Sequence, residues 1–334
     1  MRFVLHTTAL NGGDALQGLI DRLVDRVADE VHRVEVPQAD LLQDSAWYRS
    51  ARPTRQKIVM SAVAIPPRTN AHARGPHAKV TNVHDEINAR EADKLAHTPL
   101  TLLVEDREAD GVLLDILVEE LGWPELRSLW TRGKEITPPA IEFENSAGIN
   151  AMPQRVERIA DDARIQDRPL RCFVLCDSDA RWPNDCGHPS VHSIDDLRRR
   201  CEEHSIPLHV LQKRSAENYI PDAVFTALRA DPAYKSKIGG LEAFLRLTPM
   251  QRDHFPVKDG LSDAERTLAL AAGLYDAGDE PDLDKLKERL LPRRPRPLLL
   301  LSEERRASFS SEGLRCRDGN GEIDTLLEAI AREL

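Results

Sequence analysis

This sequence predicts an α/β protein built on mostly parallel sheets, and three observations carry the prediction. Two short runs, Cys172–Cys176, apolar throughout, and Leu100–Val104, apolar but for Thr101, are too short for helices and show no alternation, which is the pattern of strands buried on both faces. Stretches with helical spacing separate such runs. Over residues 98–225 the order is strand, helix, strand, helix, strand, helix, strand, as in a parallel sheet joined by crossovers.

The elements follow in chain order. Residues 2–6, RFVLH, read as a first strand. Asp14 then opens a helix in which Leu16, Leu19, Ile20, Leu23, Val24, Val27 and Val31 follow the i, i+3, i+4, i+7 stripe. Residues 56–65 read as a second strand, stopped by Pro66 and Pro67, and residues 66–79 as a basic, Pro/His-rich surface loop. A short strand and a helix fill residues 80–98. The run Leu100–Val104 leads into a helix with Val112, Leu113, Ile116, Leu117 and Leu121 on one face. A strand is expected at 140–143, a turn at Gly148, and a helix at about 152–163. After Cys172–Cys176, Ser193 and Asp196 resemble a capping pair that starts the next helix, which feeds a strand at 207–211. From Asp222 onward the pattern is largely helical, with a capping box at Ser262 and Glu265 and a final helix at 322–334 after the turn Gly319-Asn320-Gly321. The organisation expected is an N-terminal α/β domain (1–97), a central α/β domain (98–225) and a helical C-terminal extension (226–334).

With 334 residues there is room for about two domains and no doubt of a stable core. Apolar residues at 41% and charged residues at 31% describe a globular protein, and no apolar run approaches a membrane span. The opening MRFVLHTTALNGGD carries too short an apolar run for a secretory signal, so a cytoplasmic location is expected. A net charge of −10 excludes a surface that is wholly a nucleic-acid footprint, though not a local basic patch such as Arg293, Arg294 and Arg296. Five cysteines with no scaffold spacing suggest reduced thiols. Cys186, His188, His192, Cys201 and His204 form a Cys/His-rich patch whose irregular spacing lacks the paired elements of a zinc site.

Chemistry concentrates where the strands end. Cys172–Cys176 runs straight into Asp177 and Asp179, and alternation along an extended segment would send both carboxylates to one side. Two such charges about 4 Å apart repel by roughly 4 kcal/mol at an effective dielectric near 20, so a cation is expected between them. A hard ion such as Mg²⁺ suits oxygen ligands. Glu105 occupies the same position after Leu100–Val104, with Glu108 and Asp110 behind it, and Lys213 and Glu217 follow the last strand in KRSAENYIPD. Ligands bind beyond the carboxyl ends of strands in open α/β sheets, which makes these acids candidates for a site.

Three pieces, LLVED (102–106), VLCDSDAR (174–181) and KRSAENYIP (213–221), resemble in order and approximate spacing the Toprim domain of topoisomerases, primases and OLD-family nucleases. Glu105, Gly148 and Asp177 with Asp179 fill the family's places for a glutamate, a glycine-containing turn and Asp-x-Asp. The Arg-x-x-Glu-Asn-Tyr piece is similar to the OLD-like, ATPase-associated group, many of whose members act in bacterial anti-phage defence. The resemblance departs at the first motif, where Asp106 replaces a glycine and Ala109 stands four residues after Glu105, so the second acid must be Asp110 or Glu108.

The resemblance implies a Toprim-like sheet and a nuclease that cleaves phosphodiesters of DNA or RNA with Mg²⁺ or Mn²⁺. Its ligands would be Glu105, Asp110, Asp177, Asp179 and Glu217, and Lys213 or Lys258 would steady transition-state charge. No Walker lysine motif occurs, which fits a division of labour with an ABC-type ATPase partner, residues 1–97 serving docking or substrate choice. Two other classes stay open: a catalytically silent Toprim-like subunit that binds nucleic acid or a partner, and a receiver-like regulator phosphorylated on Asp177. The sequence leaves a homo-oligomer open as well.

Overall fold

The computed structural model describes residues 1–64, 79–291, 301 and 306–334. Among them, seven strands form two sheets in which every pairing is parallel. The first has β1 (Arg2–Leu5) between β2 (Arg33–Glu35) and β3 (Val80–Val83). The second is ordered β5 (Ile141–Asn145), β4 (Leu100–Val104), β6 (Cys172–Cys176), β7 (Leu208–Val210). No helix among the described residues is long and apolar enough to cross a membrane.

The helix Asp14–Ala28 covers the first sheet with the stripe that the sequence shows, burying Leu16, Leu19, Ile20, Leu23 and Val24 against Phe3 and Leu5. The helix Glu86–His97 joins the same cluster through Ala89, Ala92 and Ala96, small side chains that let two helices lie close.

Residues 56–64 correct the expectation of a strand over 56–65, of which residue 65 lies outside the described residues. They belong to the helix Pro53–Ala64, in which Val59 is fully buried and Ile58, Met60, Ala62 and Val63 pack against the same cluster. Proline at the first helical position supplies a preset φ and loses no hydrogen bond there. The apolar residues run round this helix instead of along one stripe, so their pattern reads as an unbroken, β-branched run. Arg55 ties the helix to Asp21 and Asp25 of the neighbouring helix.

The central strands are apolar but for Thr101, whose hydroxyl donates to Glu142, because both of their faces are covered. Leu102, Val104, Phe173 and Leu175 face one cluster, while Leu103, Cys172, Val174 and Cys176 face another with Met152, Val156, Ile194 and Leu197. Each large side chain fully buried this way contributes roughly 1.5–3 kcal/mol. The first of these clusters runs without a break from Leu100 through Phe225 and Phe244 to Leu334, so the C-terminal helices pack on one face of the second sheet.

Three local readings shift. The third strand is Ile141–Asn145, and the helix Pro124–Glu135, opened by a proline and burying Leu126 and Trp130, lies where no element was expected. The helix after β6 begins at Val191 with Ser190 before it. Ser193 therefore sits inside that helix and bonds Asn150 Oδ1 at 2.6 Å, and Asp196 pairs with Arg199, so the expected capping pair does not form. Ser262 does cap its helix, accepting from the Glu265 N–H, and Gly319 and Gly321 both take left-handed φ at the turn before the last helix. The basic loop at 66–78 and Arg293, Arg294 and Arg296 lie outside the described residues.

Candidate functional site

β5 and β6 flank β4 on opposite sides, so the chain reverses direction across the sheet between them. Such a reversal opens a crevice beyond the carboxyl ends of the strands. Glu105 follows β4 directly and Asp177 follows β6 directly, which places both at that crevice.

The side chains meet there. The Asp177 N–H donates to Glu105 Oε1 at 2.9 Å, and Asp177 Oδ1 accepts from the Ala216 N–H at 2.9 Å. Lys258 Nζ lies 3.3 Å from Asp177 Oδ2 and 3.0 Å from Glu217 Oε2. Glu217 is wholly buried, and among the described residues its carboxylate meets no donor but the Lys258 ammonium.

Asp110 reaches the cluster through an unusual turn. After β4 the chain makes a wide π-helical turn, Arg107–Gly111, which accommodates one residue more than an α-turn. Asp110 is thereby carried inward, buried, with Oδ2 accepting from the Asp106 N–H at 3.0 Å, while Glu108 stays exposed. Of the two acids the sequence left open, the buried one beside the cluster is Asp110.

Asp179 arrives differently from the expectation. β6 ends at Cys176, and Asp179 has φ of +54°, so strand alternation does not govern where its carboxylate goes. Aspartate tolerates that left-handed conformation better than most residues. Its N–H donates to Arg214 O at 2.9 Å and its Oδ2 accepts from Ser190 Oγ at 2.6 Å, which leaves it at the edge of the cluster, close enough to act on Glu105 and Asp177.

Electrostatics report the crowding. Burial first, then the charges of Asp177, Asp110 and Asp179, push Glu105 up to about 9. Burial likewise raises Asp177 to about 6, with Lys258 pulling it down against the push of Glu217 and Asp179. Asp110 is held well above the usual carboxylate range by burial and by Asp177. Burial disfavours the Lys258 ammonium, yet Asp177, Glu217 and Asp110 outweigh it and hold the group well above its ordinary value.

The two candidate lysines separate. Lys213 Nζ pairs with Asp253 Oδ2 at 2.7 Å beneath the Tyr219 ring and is pulled below its ordinary value by burial. Its ammonium serves Asp253, whereas that of Lys258 sits among the acids. The Cys/His-rich patch disperses: Cys201 is in an apolar cluster, His188 accepts from the Ser190 N–H, and His204 bonds Glu157.

The donor set is all carboxylate oxygen, which fits a hard divalent ion, and the buried carboxylate of Glu217, met by Lys258 alone among the described residues, fits it too. Even so, no three His, Cys, Asp or Glu side chains among the described residues converge closely enough to hold a metal as they stand. The cation between Asp177 and Glu217 is the Lys258 ammonium.

Sequence reasoning missed Ser190, which holds Asp179, and Asn218, whose contacts are described below. A Ser-x-x-Asn capping pattern at Ser215 and Asn218 was the available signal for the latter. Searches against protein-family models, curated proteins and solved structures return no match for this chain.

Proposed function

We propose that the chain is a divalent-metal-dependent nuclease that hydrolyses phosphodiesters of DNA or RNA, with a role in anti-phage defence. The observation that carries the reading is the meeting of Glu105, Asp110, Asp177 and Glu217 with one ammonium at the reversal point of a parallel sheet. Buried like charges raise one another's pKa at a cost in stability, and such arrangements cluster at functional sites.

When bound, Mg²⁺ or Mn²⁺ supplies the positive charge that activates water and stabilises a leaving oxygen. Glu105, Asp177 and Glu217 are the residues that would hold it, with Asp110 and Asp179 completing the acid set. Asp110 braces the turn after β4 through the Asp106 N–H, and Glu105 fixes the start of the loop after β6 through the Asp177 N–H. Lys258, its side chain a third exposed, holds its ammonium between Asp177 and Glu217, from where it would steady a phosphoryl oxygen as negative charge builds. Residues 1–97 and an ABC-type ATPase partner remain part of the proposal as the source of substrate choice and control.

One observation favours a second reading, a catalytically silent subunit that binds nucleic acid or a partner. Lys258 already fills the cation position, and a permanent internal counter-ion would suit a site that never takes a metal. Incubation with supercoiled plasmid and bulk tRNA, with and without Mn²⁺, separates the two. The nuclease gives nicked or shortened products only with Mn²⁺, and Asp177→Asn abolishes them while leaving the fold intact. Binding without turnover at any Mn²⁺ concentration would support the silent subunit.

A further inference from the structure

The helix Pro249–His254 has no sequence feature that explains its placement, yet it leads directly to Lys258. Its last carbonyls lack partners inside the helix, as at every helix end. They are met from outside by one loop. Asn218 Nδ2 donates to Arg252 O at 2.7 Å and Phe255 O at 2.9 Å, and the Arg214 guanidinium donates to His254 O at 3.3 Å. The Arg214 N–H donates to Asp253 O at 2.9 Å, while Lys213 and Arg317 grip the Asp253 carboxylate at 2.7 and 2.9 Å. The chain then turns through Pro256–Gly260, with the Gly260 N–H bonding Pro256 O at 2.8 Å, and Lys258 stands in that turn.

The same loop works on the opposite side. Ala216 donates to Asp177 and Glu217 faces Lys258, so neighbouring residues 217 and 218 serve the acid cluster and the helix end respectively. Asn218 is buried, and its side-chain oxygen is also used, accepting from the Ser215 N–H at 3.0 Å and Ser215 Oγ at 2.8 Å. A fully satisfied buried amide fixes geometry in a way that an apolar residue cannot.

We propose that Asn218 is a positioning residue for the site: by capping the end of the helix Pro249–His254, it sets the Lys258 ammonium between Asp177 and Glu217. Lys213 is its partner in this role and not a catalytic group. Use of Lys258 in the reaction rests on the proposed function, whereas its placement does not.

Asn218→Asp tests placement at constant volume, because it turns a donor toward two carbonyl oxygens into an acceptor. The probe is trace labelling of lysines with acetic anhydride at pH 8 in the full chain, read by mass spectrometry, without nucleic acid or metal. In the wild type, Lys258 is protected by its two carboxylates although a third of its side chain is exposed. In the variant, Lys258 labelling rises severalfold, because the ammonium leaves the two carboxylates that shield it and stands in solvent. Lys94 and Lys134, paired elsewhere with Asp167 and Asp115, stay constant as internal references.

Unchanged labelling of Lys258 in a folded variant overturns the proposal, and so does a rise shared by all three lysines, which would mean general loosening. If Asn218→Asp does not fold, Lys213→Met is read in the same way: a selective rise supports the proposal and none overturns it. Because the assay needs no turnover, a protein that never nicks DNA still reports where Lys258 sits.

Discussion

Replacing Lys258 by methionine asks how far one ammonium lets two buried carboxylates stay ionised side by side. Methionine keeps an unbranched stem and removes the charge. With Nζ 3.3 Å from Asp177 Oδ2 and 3.0 Å from Glu217 Oε2, each contact is worth about 5 kcal/mol of gross attraction at an effective dielectric near 20. The net is much smaller, since the ammonium is partly desolvated to make these contacts and a third of the side chain remains in water. Removing one partner of a sealed pair costs about 3–5 kcal/mol, and the partial exposure lowers the expected loss to about 2–3 kcal/mol. Proton uptake by the stranded acids offers an escape. Without Lys258 the folded-state pKa of Asp177 rises further above its unfolded value, so the folded state binds more protons across that window and stability falls as pH rises through it. The loss is therefore largest at pH 8 and shrinks toward pH 5. Urea unfolding of both proteins in EDTA at the two pH values measures it. An equal loss at both, or one below about 0.5 kcal/mol at pH 8, would refute the electrostatic account.

The metal-free protein loses stability between about pH 4.5 and 9, because Glu105 rises from 4.5 to about 9 and Asp177 from 3.8 to about 6 on folding. Mn²⁺ should oppose that trend, raising Tm more at pH 8 than at pH 6, and a larger effect at the lower pH would contradict carboxylate ligation. Glu105→Gln keeps the acceptor for the Asp177 N–H, so its metal-free Tm at pH 8 should be no lower than wild type while Mn²⁺-dependent nicking falls at least about tenfold. Gly260→Ala sets a methyl 2.6 Å from the backbone of Lys287 and Glu288 at φ of +77°, and its urea midpoint should report a loss above about 1 kcal/mol.

What the sequence disclosed depended on whether its pattern had one physical cause. Leu100–Val104 and Cys172–Cys176 were legible because burial on both faces leaves a short, nearly continuous apolar run, here bounded by polar residues. Asp14–Ala28 was legible from its stripe. Residues 56–64 were not, since a helix contacted on several sides shows the same run as a strand, and only the packing around Val59 separates them. The acids were visible as strand-end residues, and both candidate lysines were visible too, but nothing in the sequence separated them. Lys213 stands closer to Glu217 in the chain, and Lys258 wins its place through a helix end held 40 residues away by Asn218 and Arg214. The extra residue between Glu105 and Asp110 was equally opaque, because a π-helical turn leaves no simple periodic mark.

The cluster that joins Leu100 to Leu334 also bears on the order in which the protein can become competent. During synthesis, strands β4 to β7 emerge before the helices that cover them, bringing Glu105, Asp110, Asp177 and Glu217 out of the ribosome with one face of their sheet bare and Lys258 not yet made. A nascent chain at that stage carries four neighbouring acids that ionise poorly together and an apolar surface open to chaperones. Only when the helices after Asp222 have been made and have docked does the compensating charge arrive, so maturation of the pocket and completion of the hydrophobic interior are one late event.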